Sequence, residues 1–144
     1  MNANQFIATI ADQQVIQAIQ SAEAQTSGEL RVFVTDKIIE NPIAEAWKTF
    51  ERLKMRDTAQ RNAVLIFVGP KARKFAIVAD EGIHHFCKEA FWNQLAHQLS
   101  EGFKAGDYTS SLVRLIEEIG RALAAHFPRL GSDVNELSDK VLRD

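Results

Sequence analysis

The chain has 144 residues, of which 46% are hydrophobic and 25% charged, with a net charge of −2. That is the balance of one globular domain long enough to bury a core, and so small a net charge demands no nucleic-acid partner. The longest apolar stretch, Ala63 to Val68, is too short to cross a bilayer, and Met1 to Gln5 lacks the basic start and apolar run of a signal peptide, so a cytoplasmic protein is expected. The single cysteine, Cys87, excludes an internal disulfide and fits a reducing compartment.

In chain order, Ile7, Ile10, Ile16 and Ile19 are spaced for one apolar stripe, which predicts a helix from about Ala3 to Gln25. Thr26-Ser27-Gly28 ends it. Leu30, Val32 and Val34 then alternate with Arg31, Phe33 and Thr35, the period-two pattern of a strand. Asn41-Pro42 opens a second helix with Ala46, Trp47, Phe50 and Leu53 on its buried face. The run from Ala63 to Val68 has no polar alternation, so it is predicted as a central strand covered on both faces. Gly69-Pro70-Lys71-Ala72 is too short for a crossover helix, so Phe75 to Ala79 should return antiparallel as a hairpin. Two helices follow, one centred on Phe91, Trp92, Leu95, Leu99 and Phe103, the other on Leu112, Ile116, Ile119, Leu123 and Phe127. This order predicts an α/β fold, a three-layer α/β/α sandwich with a mixed, roughly four-stranded sheet. Residues 1–128 form a single domain in this reading, and 129–144 a tail that is extended or partly disordered.

The charge is uneven. Between Lys48 and Lys74 eight basic residues stand against Glu51 and Asp57. Such a segment is either a solvated face or a landing surface for phosphate groups or an acidic protein. Arg73 and Lys74 either hold a phosphate above the hairpin or simply protect an edge strand.

Carboxylates mark the corners of the strands. Asp80 and Glu81 follow an apolar strand and precede Gly82, where the chain can turn sharply around an ion. Clustered carboxylates suit Ca²⁺ or Mg²⁺, which take oxygen ligands. The structural alternative makes Asp80 the cap of a helix starting near Ile83. Glu29, entering the first strand, is a further metal candidate, and Asp36, beyond its other end, joins them if it lies beside Asp80. Arg61 and Asn62 read as structural, with Asn62 bonding a neighbouring turn, and Asp107 as the cap of the last helix. The histidines form no metal-binding motif, His84 and Cys87 make at most a weak pair, and Cys87 reads as packing. No dinucleotide, P-loop or serine-hydrolase motif is present.

The runs Thr26-Ser27-Gly28-Glu29, Arg61 to Ile66, Arg73 to Ile83 and Phe103 to Tyr108, in this order and spacing, resemble the TPM domain family across about Gln25 to Phe127. The ending Asp133 to Asp139 is similar to that of short, cytosolic, stand-alone members. The resemblance implies an α/β/α sandwich, divalent-metal binding as in some members, and acid phosphatase activity as in a chloroplast relative linked to photosystem II repair. Ala63 and Ala79 stand where relatives often carry Gly, and Ser138 where close relatives carry Pro, which weighs against a tight backbone cradle for phosphate. The expected function is therefore binding of a divalent cation, Ca²⁺ or Mg²⁺, through Glu29, Asp36, Asp80 and Glu81, with weak metal-dependent phosphatase activity on a phosphate-containing small molecule. The alternative is a non-catalytic module that docks an acidic protein through the basic 48–74 face.

Overall fold

A computed structural model describes residues 1–10, 12–129 and 141–144. The chain folds as α1 (Ala3–Thr9), α2 (Asp12–Glu23), β1 (Glu29–Val34), α3 (Pro42–Arg52), a 3₁₀ turn (Met55–Asp57), β2 (Ala63–Gly69), β3 (Lys74–Ala79), α4 (Glu81–His84), α5 (Glu89–Lys104), α6 (Tyr108–His126) and β4 (Leu142–Arg143). The Asp133 to Asp139 ending lies outside the described residues.

The long first helix expected from the isoleucine stripe is two helices. Asn2 and Gln5 cap α1 reciprocally, each side chain accepting the other's backbone N–H at 2.8 Å. α1 stops at Thr9, and Ile10 caps it with its N–H on the Phe6 carbonyl. The reason is tertiary. Phe6 packs edge-on against Phe103 and Tyr108 at the start of α6, whereas Val15 and Ile19 of α2 lie in the core beside β1 and α6.

The sheet has the order β3-β2-β1-β4. β1 and β2 are parallel, with Glu29 opposite Ala63 and Val34 opposite Val68. β2 and β3 form the antiparallel hairpin, Val64 opposite Ala79 and Gly69 opposite Lys74. Every residue of β2 is buried, as a strand covered on both faces must be. Val64, Ile66 and Val68 face the core shared with α2, α5 and α6, while Leu65 and Phe67 face Ala46 and Phe50 of α3. These are the three layers of the α/β/α sandwich. The fourth strand comes from the tail: Leu142 and Arg143 pair in parallel with Phe33 and Val34, on the side of β1 away from β2. No helix among the described residues is long and apolar enough to cross a membrane.

Candidate functional site

Because β3 runs against β1 and β2, its C-terminal end lies beside their beginnings. Asp80 donates its backbone N–H to the Ala63 carbonyl at 3.0 Å, and Glu29 donates to the Asn62 carbonyl at 3.4 Å. Glu29, Asp80 and Glu81 therefore share one end of the sheet. Asp36 does not. Seven residues of extended chain separate it from Glu29, roughly 23 Å at about 3.3 Å per residue, so it lies at the opposite end of β1. The condition under which Asp36 would join Asp80 in one site fails on the antiparallel direction of β3.

The environment of Asp80 is an arginine clamp. Its side chain is only 1% exposed. Arg61 grips both oxygens, Nε to Oδ2 at 2.8 Å and Nη2 to Oδ1 at 3.0 Å, and Arg56 approaches Oδ1 at 3.4 Å. Oδ1 also accepts the Glu81 N–H at 2.8 Å, so Asp80 caps α4 as its structural alternative required. Arg61 Nη1 reaches Glu81 at 3.2 Å, and the hydrogen bond with Asp80 is the chief cause that holds the guanidinium pKa above its ordinary value. The local chain is shaped for this grip. Arg61 adopts a left-handed φ of 54°, and Gly82 packs so closely under it that a Cβ would lie 2.1 Å from the Gln60 carbonyl oxygen. Asn62 reaches Ser27 Oγ at 3.3 Å, the bond to a neighbouring turn expected of it. No group of three or more His, Cys, Asp or Glu among the described residues is arranged to hold a metal ion.

At the far end of β1, Asp36 accepts the Ala3 N–H at 2.9 Å and Lys71 Nζ at 3.3 Å. The bond from Ala3, helped by Lys71, holds its carboxyl below the usual range. Asp144 lies beside it, accepting the Thr35 hydroxyl and, at 2.9 Å, the Asp36 N–H. Burial pushes the Asp144 carboxyl up, but the bonds from Thr35 and Asp36 together with the charge of Lys37 leave the net pKa lowered. Elsewhere, Cys87 is buried in the core and its thiol pKa is raised by that burial, while His84 is exposed. Asp107 occupies the cap position of α6, although its side chain makes no capping bond.

Half of the eight basic residues of the 48–74 segment are paired with carboxylates of the fold. Lys48 pairs with Glu45, Arg56 with Glu51 and Asp80, Arg61 with Asp80 and Glu81, and Lys71 with Asp36. Arg52 lies over the Phe33 ring at 5.9 Å. Arg73, exposed on the hairpin at a φ of 55°, is one of those with no ion pair among the described residues.

Arg73 borders a cleft of about 480 Å³ at the hairpin end of the sheet. The hairpin supplies Val68, Gly69, Pro70, Arg73, Lys74 and Phe75; α5 supplies Ser100, Phe103 and Lys104; Tyr108 begins α6; Met1 and Phe6 close the N-terminal side. The rings of Phe75 and Tyr108 each pack edge-on against Phe103, at 5.8 and 5.4 Å. Lys74 is aimed by a 2.8 Å bond to the Glu40 carbonyl, and Lys104 has only a distant partner, Glu101 at 3.9 Å. Among the described residues no carboxylate lines the cleft. The sequence offered Arg73 and Lys74 as either phosphate holders or edge-strand protection; it did not single out Lys104 and Tyr108, which the cleft adds. Their signal, the basic and aromatic run Phe103-Lys104-Ala105-Gly106-Asp107-Tyr108, read as the boundary between two helices.

A family model described as the TPM domain matches residues 2–122. Among solved structures, the chain is similar to the BA42 protein from the psychrophilic bacterium Bizionia argentinensis, determined by NMR, at 33% identity over 92% of each chain, with a TM-score of 0.84. It also resembles the NMR structure of the N-terminal domain of the cg2496 protein from Corynebacterium glutamicum, at 14% identity over 92% of this chain and 79% of that one, with a TM-score of 0.54, a likeness of fold alone. No curated protein matches the chain.

Proposed function

The chain belongs to the TPM domain family, and from that premise we propose that it is a cytoplasmic domain that binds a phosphate-bearing small molecule in the cleft between the hairpin and α5. The observation that carries this reading is that Arg73 and Lys104, both exposed, line a concave surface to which no described carboxylate contributes, with Lys74 adding its backbone to the wall. A guanidinium and an ammonium group are donors that phosphate oxygens take. The cleft volume, about 480 Å³, falls within the range of small-molecule sites. Titrating the protein with inorganic phosphate while recording amide NMR shifts tests the reading: saturable changes at Arg73, Lys74, Lys104 and Tyr108 support it, and their absence at tens of millimolar phosphate refutes it.

A metal-dependent phosphatase is the second reading, and the Asp80 corner does not fit it. A cation there would meet Arg61 and Arg56 on the oxygens it needs. At the cleft's end of the sheet the Asp144 carboxylate accepts the Asp36 N–H, and Asp36 itself holds the Ala3 N–H and Lys71, so a cation there would compete with one lysine rather than two arginines. Mg²⁺ is commonly held by one or two carboxylates together with phosphate oxygens. When bound there, the ion would supply charge to polarise a phosphoryl oxygen. Titration with Mg²⁺ in the presence of phosphate decides it: shifts at Asp36 that disappear in Asp36→Asn support the reading, whereas shifts at Asp80 to Gly82 would return the site to the acidic corner.

A further inference from the structure

The cleft has more to offer than its cations. We infer that its ligand is a phosphate ester of a flat ring, an inference that rests on the anion-binding reading proposed above. Phe75, Phe103 and Tyr108 are only half-buried where they border the cleft, so their apolar surface remains available to a ligand. The Phe75–Phe103 and Phe103–Tyr108 planes meet at 75° and 62°. That edge-to-face arrangement fixes the rings against one another and makes a rigid apolar wall. Phe6, 2% exposed, backs it from the core.

Polar capacity on the same surface is unused. Among the described residues the hydroxyls of Tyr108 and Ser100 make no hydrogen bond, and Arg73 has no carboxylate partner. An inorganic phosphate satisfies the cations and leaves the aromatic wall wet. An apolar ligand satisfies the wall and leaves Arg73 without a counter-charge and Lys104 with only its distant Glu101. A ring joined to a phosphate uses both, and the arginine can stack on the ring as well as bond the phosphate.

Calorimetric titration of the intact chain with inorganic phosphate, phenyl phosphate, phenol and adenosine 5′-monophosphate tests this. Phenyl phosphate is expected to bind on the order of tenfold more tightly than phosphate, the gain of one aromatic contact. Phe75→Leu should shrink the ratio of phenyl phosphate to phosphate affinity toward one, and Phe75→Tyr should restore it; Arg73→Gln should weaken both ligands. A larger gain for the nucleotide than for phenyl phosphate would mark a nucleoside as the ring, and the reverse a simple aryl group. Equal affinity for phosphate and both esters would overturn the ring inference while leaving the anion site standing. Binding of phenol as tight as phenyl phosphate would overturn the coupling of ring and phosphate, and binding of none of the phosphates would remove the anion site itself.

Discussion

Replacing Asp80 by asparagine separates a structural carboxylate from a metal ligand. The wild-type side chain, 1% exposed, receives two close hydrogen bonds from Arg61, a longer one from Arg56, and the Glu81 N–H. In Asp80→Asn the remaining carbonyl oxygen can keep the bond from Glu81, but the new amide would point N–H groups at a guanidinium. The charge-assisted bond from Arg61 Nε to Oδ2, worth about 1.5–3 kcal/mol when buried, is lost, and the arginine bonds on Oδ1 lose their charge assistance. Arg61 and Arg56 are 36% and 41% exposed, so water recovers part of that loss, and about 2–3 kcal/mol remains. For a chain of this length that lowers Tm by roughly 6–12 °C. Urea unfolding followed by tryptophan fluorescence measures it, with Glu81→Gln as a surface control expected to stay within about 0.5 kcal/mol. Arg61→Met should destabilise further than Asp80→Asn, because it strands a buried carboxylate rather than two half-exposed cations. An Asp80→Asn protein with an unchanged urea midpoint and a lost Ca²⁺ response would refute the clamp.

Gly82→Ala should cost about 3 kcal/mol in the same assay, the upper end of overpacking, because its Cβ would meet the Gln60 and Arg61 carbonyl oxygens at 2.1 and 2.5 Å and both are backbone; native stability in this variant would mean that the turn before β2 moves freely. Cys87, buried and with its thiol pKa raised, should react with Ellman's reagent far more slowly in the native state than in urea, and equal rates would place it at the surface. The folded-state pKa of Asp36 lies below its reference of 3.8, so its contribution is present above that value and is lost as the pH falls through the depressed pKa. Carboxyl NMR titration should show that midpoint below 3.8, accompanied by faster exchange of the Ala3 amide; a midpoint above it would contradict the geometry.

The sheet was legible because its residues carry period and length. The unbroken run of β2 could only be a strand covered twice, and four residues between it and β3 could only turn back. β4 was not legible: its two residues form a strand only because the edge of β1 is there to receive them. The break after α1 was hidden for a related reason, since the isoleucine stripe continues in sequence while Phe6 and Val15 pack on different neighbours. At the acidic corner, sequence supplied the residues and the antiparallel return of β3, but not the parallel pairing of β1 with β2 that sets Asp36 at the far end, nor the left-handed turn that folds Arg61 onto its carboxylate. The cleft draws on residues 1–6, 68–75 and 100–108, and no local pattern joins three segments so far apart.

The two ends of the sheet differ in what their charges have left to give. At the Asp80 end every oxygen of the buried carboxylate is already engaged, and any cation that entered would have to displace an arginine and uncover the turn that Arg61 and Gly82 build together. Ligand binding there would come at the expense of folding energy. At the hairpin end, Arg73 and Lys104 stand exposed, and Lys74 is held by a backbone carbonyl rather than a carboxylate. An anion can neutralise them without breaking a contact that the fold needs. Composition cannot distinguish these ends, because both combine basic residues with polar corners. Only the pairing of each charge separates a site that is occupied by its own side chains from one that is open to a ligand.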